Sequence, residues 1–296
     1  MKLCRYGQNR LGLVDTEAGR IKDVSAALNI LPAQKYPLPG HDLLIANLPK
    51  VRAAVKSLAP RARSVKIDSF SLLAPVANPG KIIGAPINYE DHVAESKADS
   101  QIAHGRAMEE AAIAKWGLFL KARSALIGPS QPVIVRRPHT SIENRNDHEV
   151  ELVAVIGRRG TRIRRQDAMK FVCGYCIGLD MTLRGPQFAG MRKSIDTYAV
   201  LGPWFVTADE FGDPGDKDLS IRVNGELRQN GNTWDLIYDV PQLIEFASSY
   251  YTLEPGDLIY TGTPAGVGPV KGGDVMVAEI SGIGRMSVKV KELPAG

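Results

Sequence analysis

The stretch Asp147-His-Glu-Val-Glu-Leu-Val-Ala-Val-Ile-Gly157 opens with two glutamates and continues as an apolar, β-branched run. Such a run predicts a strand over residues 149–156. Because side chains alternate along a strand, Glu149 and Glu151 lie on the same face. Two carboxylates among apolar neighbours lose hydration and repel each other unless a cation or a basic side chain neutralises them. The pair is therefore a candidate metal site, and the alternative is an edge strand with one face in water.

A third carboxylate follows a second segment of this kind. Residues 171–179 are rich in valine, tyrosine, cysteine and isoleucine, which predicts another strand, and Asp180 comes directly after it. Asp180 can supply a third oxygen ligand. Cys173 and Cys176 form a C-x-x-C motif, which we interpret as core thiols because no second pair or nearby histidine completes a zinc set. The alternative, a thioredoxin-like redox pair, belongs at a helix N-terminus rather than in a strand.

Length and composition are those of a globular chain. With 296 residues, 44% hydrophobic and 23% charged, the chain can form one large core or a large domain with a small appendage. No apolar stretch approaches the roughly 20 residues of a membrane span, and the first residues lack the apolar centre of a signal peptide. We therefore expect a cytoplasmic protein that does not bind a membrane.

The net charge of +5 and the arginine-rich residues 158–165 raise the question of a nucleic-acid partner. These arginines are confined to one segment, without interleaved aromatic residues and without a recognised nucleic-acid module elsewhere. We interpret the segment as a solvated turn and expect no nucleic-acid partner. An anionic substrate would also suit the charge.

Two prolines and a glycine in Ala74-Pro-Val-Ala-Asn-Pro-Gly-Lys81 mark a domain boundary. Before it, a predicted β-hairpin in residues 1–30 and a predicted helix at 43–58 form a small N-terminal α+β domain, residues 1–75. We expect residues 76–296 to form a second, larger domain, which is mostly β with a helix at 240–249. Asn224-Gly225 predicts a two-residue hairpin. The other strands predicted in this domain are 133–136, 204–207, 219–223, 258–261 and 275–280.

The segment Asn88-Tyr-Glu-Asp-His-Val-Ala-Glu95 predicts a helix with His92 and Glu95 on one face. A carboxylate one turn away can orient a histidine base, because it fixes the tautomer and supports the imidazolium that forms. A pair at this spacing is also a common surface contact, so its role depends on metal carboxylates converging on it. Residues 96–115 are predicted to form a lid, mobile without ligand, that ends in a helix over 106–116 and carries Glu95 to His92 on closing. The alternative is a rigid surface helix.

Ordered motifs run through residues 80–291. They are Asn-Tyr-x-x-His-x-x-Glu from Asn88, Phe-x-Lys from Phe119, Glu-Val-Glu-Leu from Glu149, Gly-Tyr-x-x-x-x-Asp from Gly174 with Arg184 and Gln187 after it, Arg-Lys-Ser-x-Asp from Arg192, Leu-Gly-Pro-Trp from Leu201, Val-Asn-Gly-Glu from Val223, Leu-x-Pro-Gly-Asp from Leu253, and Thr-Gly-Thr-Pro-Ala-Gly-Val-Gly from Thr261. Together they resemble the fumarylacetoacetate hydrolase family, which includes acylpyruvases and 2-hydroxyhepta-2,4-diene-1,7-dioate isomerases.

The resemblance implies a mixed, mainly β fold, with a β-sandwich or roll as the catalytic domain, few helices, and usually a homodimer. It implies Mg²⁺ or Mn²⁺, with Ca²⁺ possible in crystals, bound by Glu149, Glu151 and Asp180, in accord with the preference of hard cations for oxygen. The further roles that it implies are His92 as the base that activates water, Glu95 as its partner, Lys193 as the group that stabilises the oxyanion, and Lys121, Arg184, Gln187 and Thr263 as substrate ligands, Thr263 through its hydroxyl and neighbouring amides.

Three sites depart from the family pattern. His148 replaces an aromatic residue, Leu179 replaces an asparagine, and Gly185-Pro186 replace an acidic residue and its neighbour. They alter the surroundings of Glu149 and Asp180, which orient the ligands and tune metal affinity.

The leading hypothesis is a metal-dependent hydrolase that cleaves a C–C bond in a small anionic β-diketo acid of the fumarylacetoacetate or acylpyruvate type. The rival is a metal-dependent decarboxylase or isomerase of an unsaturated keto diacid in aromatic-compound catabolism. The His92/Glu95 pair favours hydrolysis, since only that route must activate water. A further alternative is a binding protein that keeps the fold and the metal without turnover.

Overall fold

The computed structural model describes residues 1–103, 112–136 and 145–293. Within these residues the chain forms twenty strands and eight α-helices, joined in places by short 3₁₀ helices. The helices are α1 (Leu43–Ala46), α2 (Leu48–Leu58), α3 (Glu90–Ala98), α4 (Ser100–Ala103), α5 (Ala112–Trp116), α6 (Ala189–Arg192), α7 (Ala208–Phe211) and α8 (Val240–Tyr250). The strands are β1 (Lys2–Tyr6), β2 (Arg10–Asp15), β3 (Arg20–Asp23), β4 (Ser64–Lys66), β5 (Leu72–Leu73), β6 (Ile82–Gly84), β7 (Phe119–Lys121), β8 (Leu126–Ile127), β9 (Val133–Val135), β10 (Asn146–His148), β11 (Val150–Ile156), β12 (Val172–Asp180), β13 (Thr182–Leu183), β14 (Ala199–Thr207), β15 (Asp218–Val223), β16 (Glu226–Asn232), β17 (Leu258–Tyr260), β18 (Gly268–Pro269), β19 (Val275–Ile280) and β20 (Gly284–Glu292).

The largest sheet holds twelve of the described strands, with β11 and β12 in its interior. Its order is β4-β3-β2-β1-β14-β12-β11-β17-β6-β7, with β5 beside β1 and β8 beside β14. β11 pairs antiparallel with β12 on one side and with β17 on the other. Every residue of β11 is buried, which explains its nearly continuous apolar sequence. The edge-strand alternative is therefore wrong.

The two faces of β11 contribute to two different cores. Val150 and Leu152 belong to a cluster that also contains residues of the five-stranded sheet β16-β15-β19-β20-β9. Val153 and Val155 belong to a second cluster, which includes the buried face of α2. Because side chains alternate, Glu151 lies on the same face as Val153. Glu151, and Glu149 just before the strand, therefore lie on the face of β11 that carries Val153 and Val155.

Local turn chemistry accounts for the hairpin between β15 and β16. Asn224 and Gly225 have φ of 52° and 86°, the left-handed conformations that a tight two-residue hairpin requires. The predicted hairpin is confirmed. A separate three-stranded sheet, β13-β10-β18, joins Asn146–His148 to the chain that follows Asp180.

The predicted helices differ in how well they match. The helix expected at 240–249 is confirmed as α8, and a reciprocal capping box between Asp239 and Gln242 fixes its start. The helix expected at 43–58 is instead two helices, α1 and α2, which meet at Asn47. Pro49 lies at the start of α2, and its missing N–H cannot continue the hydrogen bonds of the preceding helix.

The N-terminal residues extend the largest sheet. The expected single hairpin of residues 1–30 is a three-stranded unit, β1 to β3. β1 pairs with β14, where Lys2 faces Val206. The division of the chain into domains 1–75 and 76–296 stays a prediction.

The region of the predicted lid is partly described. α3 extends past Ser96 to Ala98, and α4 follows it, so the polar lead is largely helical. α5 covers the end of the helix predicted at 106–116, whereas residues 104–111 lie outside the described residues. In the described part of the chain, no helix is long and apolar enough to cross a membrane.

The two cysteines of the C-x-x-C motif lie on β12. Cys176 is buried and Cys173 is half-buried. Burial raises the pKa of both thiols, so they stay protonated near neutral pH. This fits core thiols rather than a redox pair, which needs a thiolate.

Candidate active site

The carboxylate cluster consists of Glu149, Glu151 and Asp180, each of which offers an oxygen within 4.8 Å of the others. The register of β11 with β12 brings them together, since Val150 pairs with Leu179. The main-chain N–H of Asp180 also donates to the carbonyl of Glu149 at 2.9 Å. All three side chains are buried. The structure therefore joins the residues that the sequence proposed as metal ligands.

Three cationic side chains balance two of these acids. Lys193 Nζ donates to Glu149 Oε2 and to Asp180 Oδ2, each at 2.6 Å. Lys121, buried beneath the cluster, donates to Asp180. Arg184 Nη2 donates to Glu149 Oε1 at 2.8 Å. The charges of Glu149 and Asp180 are thus compensated by the chain itself.

Glu151 is in a different electrostatic setting. Its Oε2 accepts a hydrogen bond from the main-chain N–H of Gly262 at 2.7 Å. Burial, and after it the charge of Asp180, raise the pKa of Glu151 well above its ordinary value. Burial also opposes ionisation of Glu149, but the charge of Lys193 helps to outweigh it and lowers the pKa of that carboxyl. A cation at the cluster would therefore act mainly by favouring the ionised form of Glu151.

The base helix, α3, brings His92 and Glu95 together. His92 Nδ1 and Glu95 Oε2 lie 2.7 Å apart. When Nδ1–H is donated to this carboxylate, Nε2 is the ring nitrogen that can accept a proton. Glu95 Oε1 accepts from the N–H of Gly266 at 2.9 Å, so the pair is fixed to the turn over residues 261–268. The expectation that a closing lid brings Glu95 to His92 is wrong, because they are already in contact.

Asn88 attaches the base helix to the same turn. Its Nδ2 donates to the carbonyls of Thr261 and Tyr238, each at 2.8 Å, and its Oδ1 accepts from the N–H of Tyr238 at 2.8 Å. Gly262 has a φ of +98°, and a Cβ there would lie 2.6 Å from the Cβ of Asn88. Glycine at this position therefore lets the turn approach both the base helix and Glu151.

Gln229, which the sequence analysis did not single out, connects the turn to β11. Its Nε2 donates to Thr263 Oγ1 at 2.8 Å and to the carbonyl of Pro264 at 2.7 Å. Its Oε1 accepts from the N–H of Val150 at 3.1 Å. Thr263 Oγ1 in turn donates to the carbonyl of Val150 at 2.8 Å. The one proton of the Thr263 hydroxyl thus goes to the main chain in this structure.

The sequence carries no clear signal for Gln229. It is buried near the middle of β16 between exposed neighbours, but burial does not alternate along this strand, because its pairing with β15 shifts register between Ile221 and Arg222. A buried glutamine must find hydrogen-bond partners. Without knowledge of the pairing, the sequence does not reveal what those partners are.

His148 and Leu179, two of the residues that depart from the family pattern, have different contacts in the structure. His148 Nδ1 lies 3.0 Å from Gln229 Oε1, and burial lowers the pKa of His148, so its ring is neutral. Leu179 packs in the hydrophobic cluster that contains Val150 and Leu152, on the face of β12 opposite the Asp180 carboxylate. His148 therefore joins the Gln229 network, while Leu179 serves packing.

A cavity of about 430 Å³ lies beside the carboxylate cluster, a size suited to a small molecule. Gly84 makes room for the ring of Phe119 in its wall, since a Cβ there would lie 2.2 Å from that ring. Lys193 Nζ lies 5.0 Å from the centroid of the same ring. Side chains that line the cavity include the acids Glu149 and Glu151, the basic residues His92, Arg184, Arg192 and Lys193, and the apolar residues Ile102, Trp116, Phe119 and Phe188.

The predicted substrate ligands lie in different settings. Arg184 and Thr263 line the cavity. Lys121 is buried and contacts Asp180. Gln187 is half-buried, and its main-chain carbonyl accepts a hydrogen bond from Arg192 Nε at 2.8 Å. The substrate-binding roles of these side chains stay predictions. Arg192, which belongs to a quoted motif but received no role, is the cavity-lining cation that the sequence analysis missed.

The donor set fits a divalent cation. Three convergent carboxylates are hard oxygen ligands of the kind that Mg²⁺ and Mn²⁺ accept. Burial, and after it the charge of Asp180, raise the pKa of Glu151, so a cation beside this carboxyl would favour its ionised form. Fold and site together define a mainly β protein with a candidate oxygen-donor metal site beside a histidine–glutamate pair.

Comparison with known proteins identifies the family. The model described as fumarylacetoacetate (FAA) hydrolase C-terminal matches residues 81–291. A maleylpyruvate hydrolase of Aquipseudomonas alcaligenes is 50% identical over 293 residues, which cover 99% of this chain and 100% of that protein. The chain therefore belongs to the fumarylacetoacetate hydrolase family.

Solved structures agree with this assignment. The maleylpyruvate hydrolase from Sphingobium sp. SYK-6, in complex with manganese(II) ion and pyruvate, superposes with a TM-score of 0.81 at 38% identity, covering 99% of each chain. The 5-carboxymethyl-2-hydroxymuconate delta-isomerase from Mycobacterium smegmatis gives a TM-score of 0.71 at 29% identity, covering 100% of each chain. The predicted mainly β fold of this family is confirmed.

Proposed function

We propose that this protein is a divalent-metal-dependent hydrolase that cleaves a C–C bond of an acylpyruvate such as maleylpyruvate. The observation that carries the proposal is the His92–Glu95 pair, with Nδ1 and Oε2 2.7 Å apart, in a cavity that also exposes Glu149 and Glu151. The 50% identity to a maleylpyruvate hydrolase over nearly the whole of both chains supports the same substrate class. The products are pyruvate and a carboxylic acid, which is maleate when the substrate is maleylpyruvate.

His92 is the general base in this proposal. Its Nε2 removes a proton from water as the water oxygen adds to the C4 carbonyl of the 2,4-diketo acid. Glu95 holds the ring by accepting from Nδ1 and supports the imidazolium that forms. The C3–C4 bond then breaks, and its electron pair leaves with C3 as the enolate of pyruvate. Protonation of that carbon completes the reaction.

Lys193 and the cavity cations act on the negative charges of the substrate. Lys193 lines the cavity and is held by Glu149, Asp180 and Thr182 Oγ1, the last at 2.7 Å. Burial opposes its charge, but Asp180 and Glu149 outweigh burial and raise the pKa of Lys193, so it stays protonated. A fixed ammonium group of this kind can stabilise the oxyanion that forms when water adds.

Glu149, Glu151 and Asp180 are the residues that would hold Mg²⁺ or Mn²⁺. A divalent cation, when bound, supplies a Lewis acid that polarises the keto and carboxylate oxygens of the substrate. The relative of known structure that contains manganese and pyruvate supports both the cation and a keto-acid ligand. A homodimer and a cytoplasmic location remain part of the proposal, and sedimentation of the purified chain tests the dimer.

The second candidate function is isomerisation or decarboxylation of an unsaturated keto diacid. The 29% identical isomerase, which covers the whole chain, favours it. A base in the same place could move a proton between carbon atoms without adding water. The two candidates therefore differ in whether an oxygen atom of water enters a product.

Reaction in H₂¹⁸O with Mn²⁺ separates the candidates. We expect maleylpyruvate to give equimolar pyruvate and maleate, with one ¹⁸O atom in the maleate carboxylate. Activity should disappear with EDTA and return with Mn²⁺ or Mg²⁺. Turnover of 5-carboxymethyl-2-hydroxymuconate to an isomer, with no cleavage of maleylpyruvate or related acylpyruvates, would instead establish the second candidate.

A further inference from the structure

Eight charged side chains of alternating sign form what we call the ionic chain. It runs from the segment after the base helix to the far side of the carboxylate cluster, and each member is paired with the next. In order, its members are Asp99, Arg145, Asp147, Arg184, Glu149, Lys193, Asp180 and Lys121. The proposed reaction accounts for the half from Glu149 onward. Asp99, Arg145 and Asp147 have no role in it.

Arg145 forms the outer junction of the ionic chain. Its Nη1 donates to Asp99 Oδ2 at 2.6 Å and to Gln101 Oε1 at 2.9 Å. Its Nε donates to Asp147 Oδ1 at 2.9 Å and to Oδ2 at 3.1 Å. One planar guanidinium therefore holds the segment between α3 and α4 against β10. Such a fork fixes direction as well as distance, which a lysine cannot do.

Asp147 forms the inner junction. Its side chain is 0% exposed, and Arg184 Nε donates to its Oδ2 at 2.8 Å. The same Arg184 donates through Nη2 to Glu149 at 2.8 Å. A buried carboxylate between two guanidinium groups depends on both, because loss of one partner leaves charge uncompensated. Replacing Arg145 therefore leaves Asp147 with one cation fewer, which alters the positions of Arg184 and of the Glu149 carboxylate.

The outer end of the ionic chain also reaches the cavity. Ile102, on α4, is buried and lines the cavity. It follows directly after Gln101 and lies three residues from Asp99, the two positions that Arg145 holds. The position of Ile102 in the cavity wall thus depends on Arg145, the side chain that also holds Asp147 and, through Arg184, Glu149.

We infer that Arg145 is a positioning residue that couples the cavity wall at Ile102 to the carboxylate of Glu149. The wall and the metal ligand are held by one continuous set of hydrogen bonds, so each end stabilises the arrangement of the other. By linkage, whatever orders one end must favour the ordered form of the other by the same factor. The coupling itself stands on geometry, and only its consequence for metal binding rests on the proposed function.

The first experiment measures the coupling in the metal-free protein by amide hydrogen exchange. Asp147→Asn removes charge at the inner junction without touching Asp99 or Ile102. We expect exchange at Gln101 and Ile102 to become roughly tenfold faster, while exchange in α8 stays unchanged. A merely structural effect on global stability would raise exchange in both places. Unchanged exchange at Gln101 and Ile102 would overturn the inference.

The second experiment changes the exposed end of the ionic chain. Asp99 is 34% exposed, so the Asp99→Asn variant is expected to fold. Asp99→Asn lies outside the carboxylate cluster, yet we expect it to weaken Mn²⁺ binding about threefold in calorimetric titration. Arg145→Gln should weaken it about tenfold, the lower end of what loss of a supporting contact costs. The Asp99→Asn/Arg145→Gln double variant should be no weaker than Arg145→Gln, because both break the same connection.

A matched control is available at Asp167, which is also held by two cations, Arg164 and Lys170, on the surface. Asp167→Asn should change neither Mn²⁺ affinity nor exchange at Gln101 and Ile102. Additive losses in the double variant, or losses in Asp167→Asn as large as in Asp99→Asn, would overturn the coupling. If the parent protein bound no Mn²⁺, the proposed function would fail, and amide exchange would still decide the inference.

Discussion

The carboxylate cluster and the base helix reach the same cavity by different means. The cluster is built on two adjacent strands, and register alone brings Glu149 and Asp180 together. The base helix has the pair His92–Glu95 within one turn, but its placement depends on the distant Gly266 and on Asn88, which joins it to residues 238 and 261. The cluster is therefore held mainly by strand pairing, with one contact from the turn to Glu151, whereas the base helix is fixed chiefly by that turn.

This difference predicts that damage to one region leaves the other working. Metal affinity should report the cluster, and the rate of the chemical step should report the base helix. Variants that separate these two readouts support the division of roles, and variants that move both together contradict it.

The largest expected effect is on the rate, from His92→Ala. Loss of a positioned base should lower kcat on the order of a hundredfold or more. Mn²⁺ affinity should stay within about twofold of the parent, since a histidine that is not a ligand contributes little to binding. Glu95→Gln is the matched control, which keeps a hydrogen-bond acceptor and should lose less rate. A large drop in Mn²⁺ affinity in both variants would place the pair in the metal site instead.

The next effect is on metal binding, from Glu151→Gln. In the described contacts Glu151 accepts from a main-chain N–H, and its replacement by glutamine removes one of the three candidate carboxylate ligands. We expect Mn²⁺ affinity to fall on the order of a hundredfold or more, at or above the upper end of what loss of a supporting contact costs. Calorimetric titration measures it. Binding as tight as in the parent would mean that Glu151 is not a ligand.

Asn88→Ala tests the attachment of the base helix and should have an intermediate effect. It removes three hydrogen bonds and leaves main-chain groups of Thr261 and Tyr238 without this partner. We expect a loss of roughly 2–4 kcal/mol in the free energy of unfolding, from buried polar groups left unsatisfied. The kcat should fall about tenfold as His92 loses its fixed position, with Mn²⁺ affinity near that of the parent. Urea denaturation and steady-state kinetics measure the two effects, and an unchanged kcat would show that Asn88 does not position the base.

The part of the site that the sequence predicts is the part set by local periodicity. Alternation along residues 149–156 puts Glu149 and Glu151 on one face, and helical spacing puts His92 beside Glu95, and both arrangements are present. The mainly β fold with α8 and the Asn224-Gly225 hairpin was equally predictable from short-range signals.

The rest depends on long-range pairing. Gln229 meets Thr263 and Val150 only because β16 lies near the end of β11, and Arg145 meets Asp99 across forty-six positions of the chain. The spacing of residues along the sequence does not predict such contacts. The break between α1 and α2 has another cause, since the apolar pattern continues across residues 43–58 while Pro49 begins a new helix.

The smallest expected effect comes from Thr263, which lies in the turn that contacts both the carboxylate cluster and the base helix. If the Thr263 hydroxyl bound substrate, Thr263→Val would raise KM strongly. In the structure its proton goes to the carbonyl of Val150 and its oxygen accepts from Gln229, so it joins the turn to β11 instead. We therefore expect KM for an acylpyruvate to change less than about threefold, with a loss of roughly 1–3 kcal/mol in stability from the unsatisfied partners. Thr263→Ser keeps the hydroxyl and should restore the stability. A tenfold rise in KM for Thr263→Val at unchanged stability would return the hydroxyl to the substrate and assign the turn a direct role in binding.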